Sequence, residues 1–180
     1  SILSEFGFPT KFLAPVMKEL DSIYTPNYNK EALKRRDFRD ITTFTIDPID
    51  AKDSDDAISF QIIDKDIFEI GIHIADVGHF VKEKSVIDKE AFERGNSVYL
   101  VDRVIPMLPE KLSNELCSLR PNEDKLTFSV VFKLDINGEI KDTWFGKTVI
   151  HSNQRFAYEQ AQEIIKGKEH KFSKEINTLN

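Results

Sequence analysis

The chain has 180 residues, 40% hydrophobic and 31% charged, with a net charge of −6 and a single cysteine. That is enough chain for one domain with its own core, in the composition of a soluble globular protein. It excludes an internal disulfide, a membrane span and a simple basic nucleic-acid-binding module, though not an enzyme that holds nucleic acid through metal ions.

Residues 1–36 read as a helical lead-in or linker. Pro9 and Pro15 interrupt it early, and Phe12, Val16, Leu20 and Ile23 then recur at helical spacing. Tyr24-Thr25-Pro26-Asn27 is a breaker, and Asn29 is expected to cap a short helix through Arg36. Lys30, Lys34, Arg35, Arg36 and Arg39 are either a charged helix face or a phosphate-contacting rim. Thr43-Phe44-Thr45-Ile46 reads as a strand stopped by Pro48.

The ten residues from Asp47 to Asp56 hold five aspartates and one lysine. Carboxylates this crowded must raise their pKa, turn to solvent or share a cation. Hard oxygen ligands in such numbers suit Mg²⁺ or Mn²⁺. An EF-hand register from Asp53 fails, because Ala57 and Ile58 stand where acid and glycine are needed. Two readings stay open, a two-metal phosphoryl site and a structural acidic loop. In an extended chain Asp53 and Asp55 would share a face and Asp56 would oppose them, so a common site needs a bend between Asp47 and Asp56.

Ile58, Phe60 and Ile62 alternate with Ala57, Ser59 and Gln61, a period-two strand over 57–63. Asp64-Lys65-Asp66 is a turn, and Phe68 to Ile74 is the hairpin partner. His73, Asp76 and His79 match no zinc spacing, so a core or rim histidine is expected. Ser85-Val86-Ile87-Asp88 is a capping-box candidate for a helix ending near Gly95. Ser97 to Leu100 is a short strand, where Tyr99 is either a core residue or a stacking face for a base. Pro109 opens a second helix with Leu112, Leu116 and Leu119 on one face, and Cys117 is expected to be buried among them. Leu126–Leu134 and Glu139–Ile150 are strands joined through Asn137-Gly138, and Tyr158–Lys166 is a helix. The fold class this gives is α+β, a mixed or antiparallel sheet with flanking helices.

The aspartate stretch, Thr45-Ile46-Asp47 with Asp50-Ala51-Lys52-Asp53-Ser54-Asp55-Asp56-Ala57, resembles the signature of the ribonuclease II/ribonuclease R (RNB) exoribonucleases. The likeness continues through Gly71-Ile72-His73-Ile74-Ala75-Asp76-Val77-Gly78-His79-Phe80, then Arg94 to Pro109, then Leu112 to Leu119. It covers the chain from about Arg35 to Glu163, and the basic Arg35 to Asp40 entry looks more like the ribonuclease R branch. Val101 stands where proline is common and Gly78 where serine is common, both away from the acidic stretch.

The resemblance implies a processive 3′-to-5′ exoribonuclease that degrades single-stranded RNA to nucleoside 5′-monophosphates with Mg²⁺, for which Mn²⁺ can substitute. Asp47, Asp53 and Asp56 match its metal ligands, Asp55 the aspartate needed for cleavage, and Tyr99 the tyrosine that stacks on a terminal base. Residues 37–180 then correspond to the N-terminal part of an RNB catalytic domain. The family's later half, with an arginine and a glutamate at the scissile phosphate, and its flanking OB-type domains have no counterpart here. A piece of a longer, monomeric, cytoplasmic protein is therefore expected, without a membrane partner. The class-different alternative is a catalytically silent RNA-binding or structural module.

Overall fold

The computed structural model describes residues 10–101 and 103–180. Pro9 and Asp102 of the motifs above lie outside the described residues. In chain order the elements are α1 (Ala14–Asp21), α2 (Tyr28–Ala32), β1 (Arg36–Phe38), β2 (Thr43–Asp47), β3 (Asp56–Asp64), β4 (Ile67–Ala75), α3 (Val77–Phe80) and α4 (Val86–Arg94). β5 (Val98–Tyr99), β6 (Val104–Ile105), a π-helical turn (Lys111–Leu116), β7 (Asp124–Asp135), β8 (Ile140–His151), β9 (Gln154–Ala157), α5 (Tyr158–Ile165) and α6 (Ser173–Leu179) follow. The chain forms two interleaved compact units, one from residues up to Pro26 with Val77–Cys117, the other from Asn27–Asp76 with Ser118–Asn180.

In the first unit Pro15 sits in the first turn of α1, where its missing N–H costs nothing, so it starts the helix instead of interrupting it. Val16 and Leu20 are buried on its inner face. Ser85 Oγ accepts from Asp88 N at 3.2 Å, and Asp88 Oδ2 accepts from Lys84 N at 2.7 Å. The α4 cap is thus reciprocal, but displaced by one residue from a standard box. Glu19 Oε2 adds a second anchor by accepting from Val86 N and Ile87 N at 2.8 and 3.2 Å. Gly95 ends α4 at φ 76°, a conformation that favours glycine. The helix after Pro109 is shorter than its leucine spacing suggests, and Cys117 N bonds to Leu112 O at 2.8 Å, five residues back. Cys117 is buried.

The second unit is built on a seven-stranded sheet in the order β1-β8-β7-β4-β3-β2-β9. Both expected hairpins, β3–β4 and β7–β8, are present and antiparallel. β1 and β9 join the two edges in parallel, so the sheet is mixed. Helix α2 is capped by Asn27, which accepts from Lys30 N at 3.1 Å, and it ends at Ala32. Asn29 instead accepts from Arg39 at 2.8 Å. Helices α5 and α6 cover one sheet face around Phe44, Phe156, Ala161, Ile164 and Ile176.

The other face is buried and polar. Ala57 and Ser59 of β3 are buried on this side and Phe60 is buried on the opposite one, so both faces of the strand are covered until Ile62, which is 45% exposed. His73 is fully buried, with Nδ1 2.6 Å from Ser129 Oγ and Nε2 2.8 Å from Ser59 Oγ. Ser129 passes the chain to Thr148 and Thr127. Gly71, opposite Ser59, leaves the room, because a Cβ there would run into Ser59 Oγ and His73 Nε2. Arg36 donates to both oxygens of buried Glu69 at 2.7 and 2.8 Å, and Gln61 donates to the same carboxylate at 2.7 Å.

The three arginines of the basic stretch are therefore engaged within the unit, while Lys30 and Lys34 are exposed. Arg35 pairs with Asp76 at 2.7 Å, Arg36 with Glu69, and Arg39 with Asp37 and Asp124. These arginines form a structural clamp and not a phosphate-contacting rim.

Burial, and then the charge of Arg36, push His73 down to about 3. The unfolded chain takes up a proton here below about pH 6.5, and the folded protein does not until about pH 3. The contribution of His73 to stability is full above pH 6.5 and is lost as pH falls from there toward 3. Thermal melts of wild type and His73→Gln at pH 7, 5.5 and 4 should show the smaller loss in the variant, which is less stable at pH 7. Parallel pH curves would contradict this role.

Candidate active site

β2 ends at Asp47 and β3 begins at Asp56, and the intervening chain makes the bend that a common site requires. Pro48 cannot extend the ladder, and Ala51 N closes a turn on Pro48 O at 3.1 Å. From there the backbone returns antiparallel, and Ala75 N bonds to Asp55 O at 2.9 Å, one step beyond the regular β3–β4 pairing.

Asp47 is the buried member of the set, 8% exposed. Its Oδ2 accepts from Ser54 Oγ at 2.9 Å. Ser54 is itself fixed on three sides. Its N–H donates to Ser118 Oγ at 3.2 Å, its carbonyl accepts from Leu119 N at 2.8 Å, and its side chain is spent on Asp47. Ser118 Oγ donates in turn to Lys52 O at 2.9 Å. On the other flank, Arg155 of β9 donates to Pro48 O and Ile49 O, with Nε 3.9 Å from Asp47 Oδ2.

Asp55 and Asp56 are exposed residues at the head of β3. Asp55 is pushed up to about 6, first by desolvation and then by the charges of Asp53, Asp56 and Asp47. Asp56 is raised by desolvation and by Asp47. The four aspartates singled out by the sequence therefore share one electrostatic environment. The donor chemistry, hard carboxylate oxygens whose repulsion a cation would relieve, fits Mg²⁺ or Mn²⁺. Side-chain convergence does not yet match it, since among the described residues no three His, Cys, Asp or Glu side chains stand where they could hold one ion.

Tyr99 belongs to the other compact unit, in β5, and is 63% exposed, so the core reading of this residue does not hold. His73 takes the core position. Ser54, Ser118 and Arg155 escaped sequence reasoning. Ser54 is hidden inside the acidic run, and Ser118 and Arg155 are brought in from 64 and 106 or more residues away.

Ser54→Ala removes the hydroxyl that donates to the buried Asp47 carboxylate, and a buried charged acceptor left short of a donor costs about 1–3 kcal/mol. Urea unfolding should show a loss of that size with an unchanged m-value. A loss below about 0.5 kcal/mol, the range of a neutral surface change, would mean that Asp47 is held by other means.

Residues 35–180 match the RNB domain family. Over 141 residues the chain is 54% identical to DIS3-like exonuclease 2 of Schizosaccharomyces pombe, an overlap of 78% of this chain and 15% of that protein. Its fold is similar to that of Mycoplasma genitalium RNase R, solved in complex with ribose methylated single-stranded RNA, with a TM-score of 0.87, 31% identity, and coverage of 99% of this chain and 28% of that one. It is also similar to yeast Ssd1, a pseudonuclease, with a TM-score of 0.73, 28% identity, and coverage of 81% and 18%. The chain thus spans less than a third of each of these proteins. With the aspartates at the β2–β3 junction and this match over most of its length, the chain belongs to the RNB domain family.

Proposed function

We propose that this chain supplies the metal-binding part of a 3′-to-5′ exoribonuclease site, which hydrolyses single-stranded RNA processively to nucleoside 5′-monophosphates. The observation that carries the reading is the gathering of Asp47, Asp53, Asp55 and Asp56 at one strand junction of an RNB-family chain. Asp47, Asp53 and Asp56 would hold Mg²⁺, with Mn²⁺ able to replace it. When bound, such ions activate water and stabilise the leaving oxygen of a phosphodiester, with two ions standing about 4 Å apart in the two-metal form.

The chain's own residues do the rest. Buried Asp47, fixed by Ser54, sets the inner wall of the site. Asp55 acts at the reacting phosphate, where a single carboxylate contributes mainly to the transition state. Tyr99 offers an exposed ring on which a terminal base can stack. Substrate affinity comes from backbone contacts and stacking spread over several nucleotides, so it depends little on any one carboxylate.

A catalytically silent RNA-binding module is the second reading. It is favoured by the incomplete convergence of the acidic side chains and by the likeness to a pseudonuclease. Digestion of 5′-labelled and 3′-labelled single-stranded RNA with Mg²⁺, by the longest natural polypeptide that contains this chain, separates the two. Exonuclease action gives a 3′-labelled mononucleotide at once and a shrinking 5′-labelled ladder, and Asp55→Asn should abolish both while leaving RNA binding within a few-fold. Binding without hydrolysis by the wild type would establish the silent module.

Tyr99→Ala should cost about 1–3 kcal/mol of contact to one nucleotide. The expected readout is an altered length of the final product with long substrates still degraded. Unchanged end products would remove Tyr99 from the RNA path.

A further inference from the structure

We infer that Arg155 is a positioning residue, a clamp on the turn that carries the aspartates, which holds that loop in shape before any cation arrives. The inference rests on the metal-site reading above for its purpose, but its geometry stands apart from it. β9 pairs in parallel with β2, with Arg155 opposite Thr45 and Ala157 opposite Asp47. Side chains two apart on a strand share a face, so Arg155 points along the face from which Asp47 projects.

Its terminal nitrogen donates to two successive carbonyls, Pro48 O at 2.7 Å and Ile49 O at 3.0 Å. Those carbonyls belong to the turn closed by Ala51 N on Pro48 O. Proline contributes no N–H, so this turn has little backbone bonding of its own, and charge-assisted bonds from a guanidinium are the strong kind. Nε is buried, without a hydrogen-bond partner, and 3.9 Å from Asp47 Oδ2, too long for a hydrogen bond.

Two effects on an incoming divalent cation therefore oppose each other. The positive charge beside Asp47 repels the cation. The terminal nitrogen that gathers Pro48 O and Ile49 O keeps the carboxylates of the loop arranged for it. Ion pairs that remain partly exposed are weak, and the Arg155 side chain is 29% exposed, so the two carbonyl bonds outweigh the charge. The two effects predict opposite signs when the residue is changed. An arginine acting by charge alone would, on removal, let the cation bind more tightly. A clamp would, on removal, loosen it.

The test uses the 180-residue chain, with Arg155→Met, which keeps the stem and loses charge and donors, and Arg155→Lys, which keeps charge but is shorter and places no planar guanidinium against the two carbonyls. Amide hydrogen exchange of residues 49–55 without metal, and Mn²⁺ binding by electron paramagnetic resonance, are the two readouts. A clamp predicts that both variants exchange about tenfold or more faster in this loop, with β4 and β7 amides unchanged, and bind Mn²⁺ several-fold more weakly. Loop exchange at the wild-type rate, or tighter Mn²⁺ binding by Arg155→Met, overturns it. A wild type that takes up no Mn²⁺ defeats the metal-site reading instead, and the exchange rates of the loop then decide the clamp alone.

Discussion

A carboxylate buried at the end of a strand is the constraint around which the second unit is arranged. Asp47 retains 8% of its surface, too little for water to solvate a charge, so the protein must supply donors and cations. It supplies Ser54 Oγ directly and the Arg155 guanidinium nearby. Each of these is held in turn, Ser54 by Ser118 and Leu119, and Arg155 by two carbonyls of the turn. The loop from Pro48 to Asp55 has no regular secondary structure, yet it is tied at three places to chain that lies far away in sequence.

Those ties explain why the sheet is mixed. An antiparallel meander of β2, β3, β4, β7 and β8 could form from consecutive segments alone. β9 instead returns from the end of β8 to lie parallel to β2, and Asn153 fixes the junction by bonding with Thr43 through its side chain at 2.8 Å and its N–H at 2.7 Å. Parallel pairing over more than a hundred residues is costly in loop entropy, and it is the step that brings Arg155 to the aspartates. The polar ladder of Ser59, His73, Ser129, Thr148 and Thr127 keeps the central strands in register beneath it, since a slip by one residue would leave several buried polar groups unpaired.

Local signals carried much of this in the sequence. The two hairpins, the Ser85 cap, the Gly95 stop and the strand ending before Pro48 all depend on residues within a few positions of one another. The crowding of Asp47, Asp53, Asp55 and Asp56 was visible for the same reason. What stayed hidden depends on partners distant in the chain. β1 and β9 are three and four residues long, below the length at which a period shows, and they exist because β8 and β2 offer free edges. The arginines from Arg35 to Arg39 read as a charged helix face or a phosphate-contacting rim, because their partners Asp76, Glu69 and Asp124 lie far away in the chain. The alternation in β3 marked a strand but gave no sign that its Ser59 side is buried as well, where His73 reaches Ser59 beside Gly71.

Membership in the RNB family gives the aspartates their context, while the chemistry depends on whether they take a cation together. Crystals of the chain soaked in Mn²⁺ and measured for anomalous scattering answer this most directly. The proposed metal-site reading predicts a peak bounded by Asp47, Asp53 and Asp56, with their carboxylate oxygens as ligands. No peak at the β2–β3 junction, or a peak confined to the small pocket lined by Glu163, Glu169 and His170, would contradict the assignment of this junction as the metal centre.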